Sequence, residues 1–235
     1  MNILNELLML AEAKGKNLLG LTIENKKITE QTPSEPWPGN FSCSYNQLTS
    51  LEFCPEKVGG DFYCSVDKLT SLEFCPKEVG GDFGCSRNQL TSLEFCPKEV
   101  GGNFGCSRNQ LTSLEFCPKE VGGNFYCFHN QLTSLEFCPK EVGGDFYCYN
   151  NQLTSLADIH KRLKKMDGIF YAPDNPIKSN VIGLMLVAGC KEVILDNKEV
   201  QNIINKHCKS PFGHLRLLEC QEDLLSAGFE EWAEL

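Results

Sequence analysis

The chain has 235 residues, 31 acids against 22 bases for a net charge of −9, and 14 cysteines. That length makes one or two domains, and the acidic balance repels phosphate backbones, so nucleic acid is not expected as a partner. No apolar run reaches the roughly 18 residues of a membrane span, and the start MNILNELLMLAEAKGK lacks the features of a signal peptide; a cytoplasmic protein with no membrane association is expected.

Residues 1–38 read as a cap, with a helix around Leu4, Leu7, Leu8 and Ala11 followed by strand-like residues 21–29. The octapeptide LTSLEFCP then begins at residues 48, 69, 90, 111 and 132, and a further LTSL begins at 153. A fixed period of 21 residues is the signature of a solenoid, in which each unit buries its apolar face only against its neighbours.

The unit is VGG[DN]FxCxxNQLTSLEFCPKE. In [DN]-F-x-C-x the Phe and Cys lie two apart and share the inner side of a short strand, leaving Asp/Asn and the x positions outside. Asn46, Asn88, Asn109, Asn130 and Asn151 follow three residues after Cys, where a side-chain amide can both donate to and accept from adjacent coils. Asp67 replaces Asn in the second unit and is expected to make a weaker joint. The two Leu of LTSL turn inward, Pro excludes a long helix on the outer side, and Gly-Gly is expected to supply backbone freedom. Five or six apolar side chains per unit are expected in the core.

Eleven cysteines follow the repeat in two registers, Cys43 to Cys148 and Cys54 to Cys138. Two columns of buried, reduced thiols are expected, since zinc sites want closely spaced pairs and no CxxC occurs. No metal or cofactor is implied.

The run Phe104-x-Cys106-x-x-Asn109-x-Leu111 resembles the core of a leucine-rich repeat, with Phe and Cys in place of two leucines. Leu111-Thr-Ser-Leu114 followed by Pro118 is similar to the short bacterial class found in type III effectors, and the Val-Gly-Gly link resembles repeat proteins of tailed bacteriophages. The resemblance covers residues 39–177. It implies a repeat solenoid of leucine-rich-repeat-like horseshoe form, with short parallel strands on the concave face, a mostly irregular convex side and small helical caps. It also implies protein binding, and host cytoplasm if the chain is phage-encoded. The remaining C-terminal segment is too short for the ubiquitin-ligase domain of the effectors and lacks its Cys-x-Asp motif.

Met166 to Ile177 reads as a seventh, degenerate coil after a helical turn from Asp158. Residues 178–235 read as a mainly helical α/β cap: an apolar helix over 180–188, a short strand over 192–195, an amphipathic helix over 198–206, and one or two helices over 215–235.

The units disagree at three positions only reachable from outside. These hold Tyr63, Gly84, Gly105, Tyr126 and Tyr147; then Phe128 and Tyr149 after a run of Ser; then Arg87, Arg108 and His129. Stacked strands turn these columns into rows, so an aromatic patch is expected beside an Arg pair, with Gly84 and Gly105 as a shallow floor. Tyr63, Arg87, Arg108, Tyr126, Phe128, His129, Tyr147 and Tyr149 are the candidate binding residues. Lys161, Arg162, Lys164 and Lys165 form a basic cluster that reads as a solvated helix face or a docking point for an acidic partner.

His129, His160, His207 and His214 sit in no catalytic motif, so an enzyme is not expected. The expected function is a phage-encoded protein-interaction module that binds a host or viral protein through its concave face, with inhibition of a host factor as the more specific reading. A virion component and a small-ligand sequestering protein are the alternatives.

Overall fold

The computed structural model describes residues 37–208 and 213–235, with two short strand pieces, Ile23–Glu24 and Lys27–Ile28, paired antiparallel. The helix expected around Leu4, Leu7, Leu8 and Ala11 lies outside the described residues. From Trp37 onward the chain winds a parallel β-solenoid of about seven turns.

Each coil contributes two strands of two residues. One begins at the inward Phe (Phe41–Ser42, Phe62–Tyr63 and so on to Phe146–Tyr147), and successive strands of this series pair in register at 21-residue intervals. The other ends at the Val (Lys57–Val58, Glu78–Val79, Glu99–Val100, Glu120–Val121, Glu141–Val142) and builds a second parallel ladder. From sequence, Val-Gly-Gly is expected only as a link between units; the Val that opens it instead ends a strand of this ladder. In the last coil the two merge into one strand, Lys165–Tyr171, which places Met166 beside Val142 and Phe170 beside Phe146.

Gly-Gly separates the ladders, and the reason differs from the one expected. None of the glycines in the array has positive φ. A Cβ on Gly101 would instead collide with the carbonyl of Gly80, and one on Gly102 with the Asp82 side chain. Close approach between coils is what demands them.

The core is a set of parallel columns. Phe41, Phe62, Phe83, Phe104, Phe125, Phe146 and Phe170 stack with centroids 5.0–5.8 Å apart. Around them each full coil buries two Leu, Cys of the first register, Val and, from Cys75 on, Cys of the second. At about 1.5–3 kcal/mol per buried side chain, before conformational entropy, every coil is stabilised mainly by its neighbours.

Side chains add polar ladders along the stack. Asn109 Oδ1 accepts from the Leu90 N–H at 3.1 Å, while its Nδ2 donates to Cys106 O at 3.0 Å and Cys85 O at 3.1 Å. Asp67 imitates only half of this. Its Oδ1 accepts from Asn46 N–H and Leu48 N–H, but its Oδ2 is buried without a partner, where Asn would point an amide. Burial pushes the Asp67 carboxyl up to about 6.

A second ladder uses the Asp/Asn before each Phe, expected outside. Asn40, Asp61, Asp82, Asn103, Asn124 and Asp145 each accept, through Oδ1, the backbone N–H of the equivalent position one coil on, at 2.7–2.9 Å. Ser44, Ser65 and Ser86 do the same through Oγ. The thiols also take part: Cys75, Cys96 and Cys117 donate to the carbonyls of Phe95, Phe116 and Phe137 at 2.9–3.1 Å.

Both ends of the Phe stack are covered. Trp37 meets Phe41 edge-on at 5.3 Å. At the other end strand Ala188–Ile194 pairs parallel with Lys165–Tyr171 across a bulge. Asn175 carries the Asn ladder into the degenerate coil, and Ile159–Arg162 is the helical turn before it. The apolar helix expected over 180–188 is a 3-10 helix, Val181–Leu186, with Val181 to Met185 buried. Helices Lys198–Cys208 and Gly213–Ser226 and the 3-10 turn Glu230–Ala233 complete the cap.

Candidate interaction surface

The Phe strands place alternate residues outward, and in the last three coils those residues are aromatic. Tyr126 and Tyr147 stack at 5.1 Å and 14°, and Tyr147 leans on Tyr171 at 5.7 Å. One residue pair further along, Phe128 and Tyr149 stack at 4.5 Å and 11°. Edge contacts join the rows, Tyr126 to Phe128 at 6.3 Å and Tyr149 to Tyr171 at 5.5 Å. His129 meets both Phe128 and Tyr149. Six rings therefore form one contiguous, half-buried platform.

Its edges are pinned by the Asp/Asn ladder. Asn124 donates to the Tyr126 hydroxyl at 2.7 Å, and the Tyr147 hydroxyl donates to Asp145 at 2.9 Å. Burial and that bond to the Asp145 carboxylate push the Tyr147 phenol up to about 12, so it stays a neutral donor. Fixed phenols leave the ring faces as the surface on offer, and the ordering entropy that a partner would otherwise have to meet is already spent.

Tyr171 was not among the expected residues. Its signal was present in Ile169-Phe170-Tyr171-Ala172, which aligns with Asp145-Phe146-Tyr147-Cys148 once the three-residue displacement of the degenerate coil is allowed for.

Tyr63 is not part of the platform. Gly84 and Gly105 stand between it and Tyr126 in the row, and its hydroxyl donates to Asp82 at 2.9 Å. That pose lays the ring over Gly84, where a Cβ would meet Tyr63 Cδ1 at 2.6 Å. Gly84 is therefore buried under Tyr63, and only Gly105 leaves a shallow gap in the surface. Burial and hydrogen bonding to Asp82 raise the Tyr63 phenol. Asp82 is pulled up by burial, but the hydrogen bonds from Asn103 and Tyr63 outweigh that and hold it below the ordinary carboxylate range.

Arg87, Arg108 and His129 share a column in which the backbone turns through positive φ, 58°, 56° and 54°. Both Arg side chains are exposed, and Arg108 stands one coil from His129, at the edge of the platform. The basic cluster lies elsewhere on the coil. Lys161 pairs with Asp158 at 2.6 Å, and Arg162 lies over the Phe137 ring at 5.4 Å.

A groove of about 1010 Å³ follows the Glu-Val ladder, floored by Val and Gly and edged by Glu78, Glu99, Glu120 and Glu141 between Lys57 and Lys165. It holds no aromatic ring. Among the described residues, no three His, Cys, Asp or Glu side chains converge as a metal site would require, and no helix is long and apolar enough to cross a membrane.

Fold and surface together define a parallel β-solenoid repeat protein with a contiguous aromatic platform on its Phe strands. The chain matches no protein-family model and no curated protein.

Proposed function

We propose that the protein is a non-enzymatic binding module whose aromatic face, Tyr126, Phe128, His129, Tyr147, Tyr149 and Tyr171 with Arg108 at its edge, receives a protein partner. One observation carries this reading: the coils keep their core and ladder residues nearly constant and differ on the outward strand positions, where six rings collect into one platform. Tyr and Arg are the residue types that dominate interface hot spots. The leucine-rich-repeat likeness belongs to the same proposal. Under it, this face is the concave side of a horseshoe, and a phage origin would make a host factor the target.

The test is quantitative affinity capture from cell extract with the full chain and with a Tyr126, Phe128, Tyr147 and Tyr149 to Ala variant. The variant is expected to keep its melting temperature within a few degrees and to lose its partner, single substitutions weakening binding by up to about 2 kcal/mol or more. Undiminished capture by the folded variant would move the site off this face.

A further inference from the structure

The corner of each coil carries an anomaly that neither core nor ladders explain. Phe74, Phe95 and Phe116 lie at φ 67–70°, and they and Phe137, the equivalent residue one coil on, are 40–52 % exposed. A non-Gly residue in this region is held against about 1–2 kcal/mol of steric cost, which glycine would not incur. The backbone therefore does not ask for Phe here, and the core does not receive the ring. What remains is the ring's exposed face, repeated from coil to coil as a row along the stack.

Charge flanks the ridge asymmetrically. The preceding residues, Glu73, Glu94, Glu115 and Glu136, make an acidic row on one side. Lys77, Lys98, Lys119 and Lys140, three residues after each Phe, make a basic row on the other, near enough that Lys98 Nζ stands 5.7 Å from the Phe116 centroid. Such a pattern is self-complementary for one orientation. When two copies face each other across a two-fold axis parallel to the stack, the acidic row of each meets the basic row of the other. An axis perpendicular to the stack within the interface would set acid against acid.

We infer that the Phe ridge is a self-association face on which a second copy of this chain packs with its stack parallel. The rings offer roughly 400 Å² of apolar surface, taking about 200 Å² for a whole aromatic side chain. That lies within the range of the largest apolar patch on a typical monomer, which is often a functional surface. A standard interface takes about 800 Å² from each copy, so the flanking Glu and Lys stems would supply the remainder.

Sedimentation velocity of the full chain across about 1 to 100 µM reads the outcome. The wild type is expected to shift from monomer to dimer. Phe95→Gly with Phe116→Gly should weaken the dimer by at least about 30-fold. The same variant should keep or raise the melting temperature measured at a concentration where both proteins are monomeric, because glycine relieves the positive φ; loss of dimer through misfolding is thereby separated from loss of the face. Glu94→Lys with Glu115→Lys, and Lys98→Glu with Lys119→Glu, should each weaken the dimer, and the four together should restore it. A wild type that stays monomeric at the highest concentration, or a dimer indifferent to the Phe changes, overturns the inference. Failure of the combined charge swap to restore association overturns the parallel two-fold.

Discussion

Replacing Asp67 by Asn should stabilise the protein, and the gain should depend on pH. At every other coil the equivalent Asn donates two or three bonds to carbonyls, as Asn88 does to Cys64 O at 2.8 Å and Cys85 O at 3.0 Å. Asp67 when ionised presents Oδ2 there instead, buried and without a partner. Burial raises its carboxyl from 3.8 to about 6, so the folded state binds more protons than the unfolded state across that window. Stability linked to Asp67 is thus fully present below about 4, falls as pH rises toward 6, and is lost above it. A shift of this size corresponds to about 3 kcal/mol at most, and to about 1–3 kcal/mol once partial solvation is allowed for. Urea unfolding of wild type and Asp67→Asn at pH 4 and pH 7.5 measures the difference. The variant should be more stable by about 1–3 kcal/mol at pH 7.5 and by less than about 1 kcal/mol at pH 4, where a protonated Asp67 can donate one bond. A gap that is the same at both pH values, or absent at pH 7.5, would show that Oδ2 is solvated and refute the reasoning.

Asn109→Ala should destabilise by about 1–3 kcal/mol in the same assay, because Leu90 N–H and two carbonyls lose their partner; equality with an exposed change such as Glu115→Ala would argue against the ladder. Gly101→Ala should destabilise by about 2 kcal/mol or more through collision with the Gly80 carbonyl, whereas Gly105→Ala, whose nearest neighbour is Ser86 Oγ at 3.3 Å, should stay within about 0.5 kcal/mol. Alkylation followed by mass spectrometry should find Cys54, partly exposed, reacting before the buried repeat thiols, which burial holds in the protonated form, Cys96 at about 12. Rapid, uniform labelling of the native chain would contradict the buried columns.

The parts of this fold that were legible in sequence are those where one residue type has one use. A Phe and Cys two apart, an Asn three residues later and two inward Leu gave the strand, the ladder and the core, and the weak joint at Asp67 followed from its missing donor. Residues with two uses were misread. Asp or Asn before Phe looks solvated, yet its Oδ1 bonds the next coil; Gly-Gly looks like a flexible link, yet answers a carbonyl pressed against it. The Glu-Val ladder has strands too short for alternation to show. On the candidate face, the stacked Tyr126, Phe128, Tyr147 and Tyr149 followed from register alone. Tyr63 was misplaced because its hydroxyl reaches the Asp82 carboxylate one coil on, and Tyr171 was hidden by a displaced register. A Phe beside a buried Cys in a tight corner reads as core, so the outward ridge had no signal short of the backbone angle.

Between the regular units, each kind of bond that joins one coil to the next spans a fixed stretch of chain: 19 residues from Leu90 to Asn109, 21 from Ser86 to Ser107, 24 from Cys85 to Asn109. A whole regular unit inserted or excised therefore rejoins surfaces that already fit, and the C-terminal cap never senses the change. The aromatic platform is anchored to the C-terminal cap, so its separation from the first coil can lengthen or shorten only in steps of roughly 4.8 Å. The molecule is in this sense a ruler with interchangeable graduations, whose span can be reset without redesigning either the joints or the aromatic face.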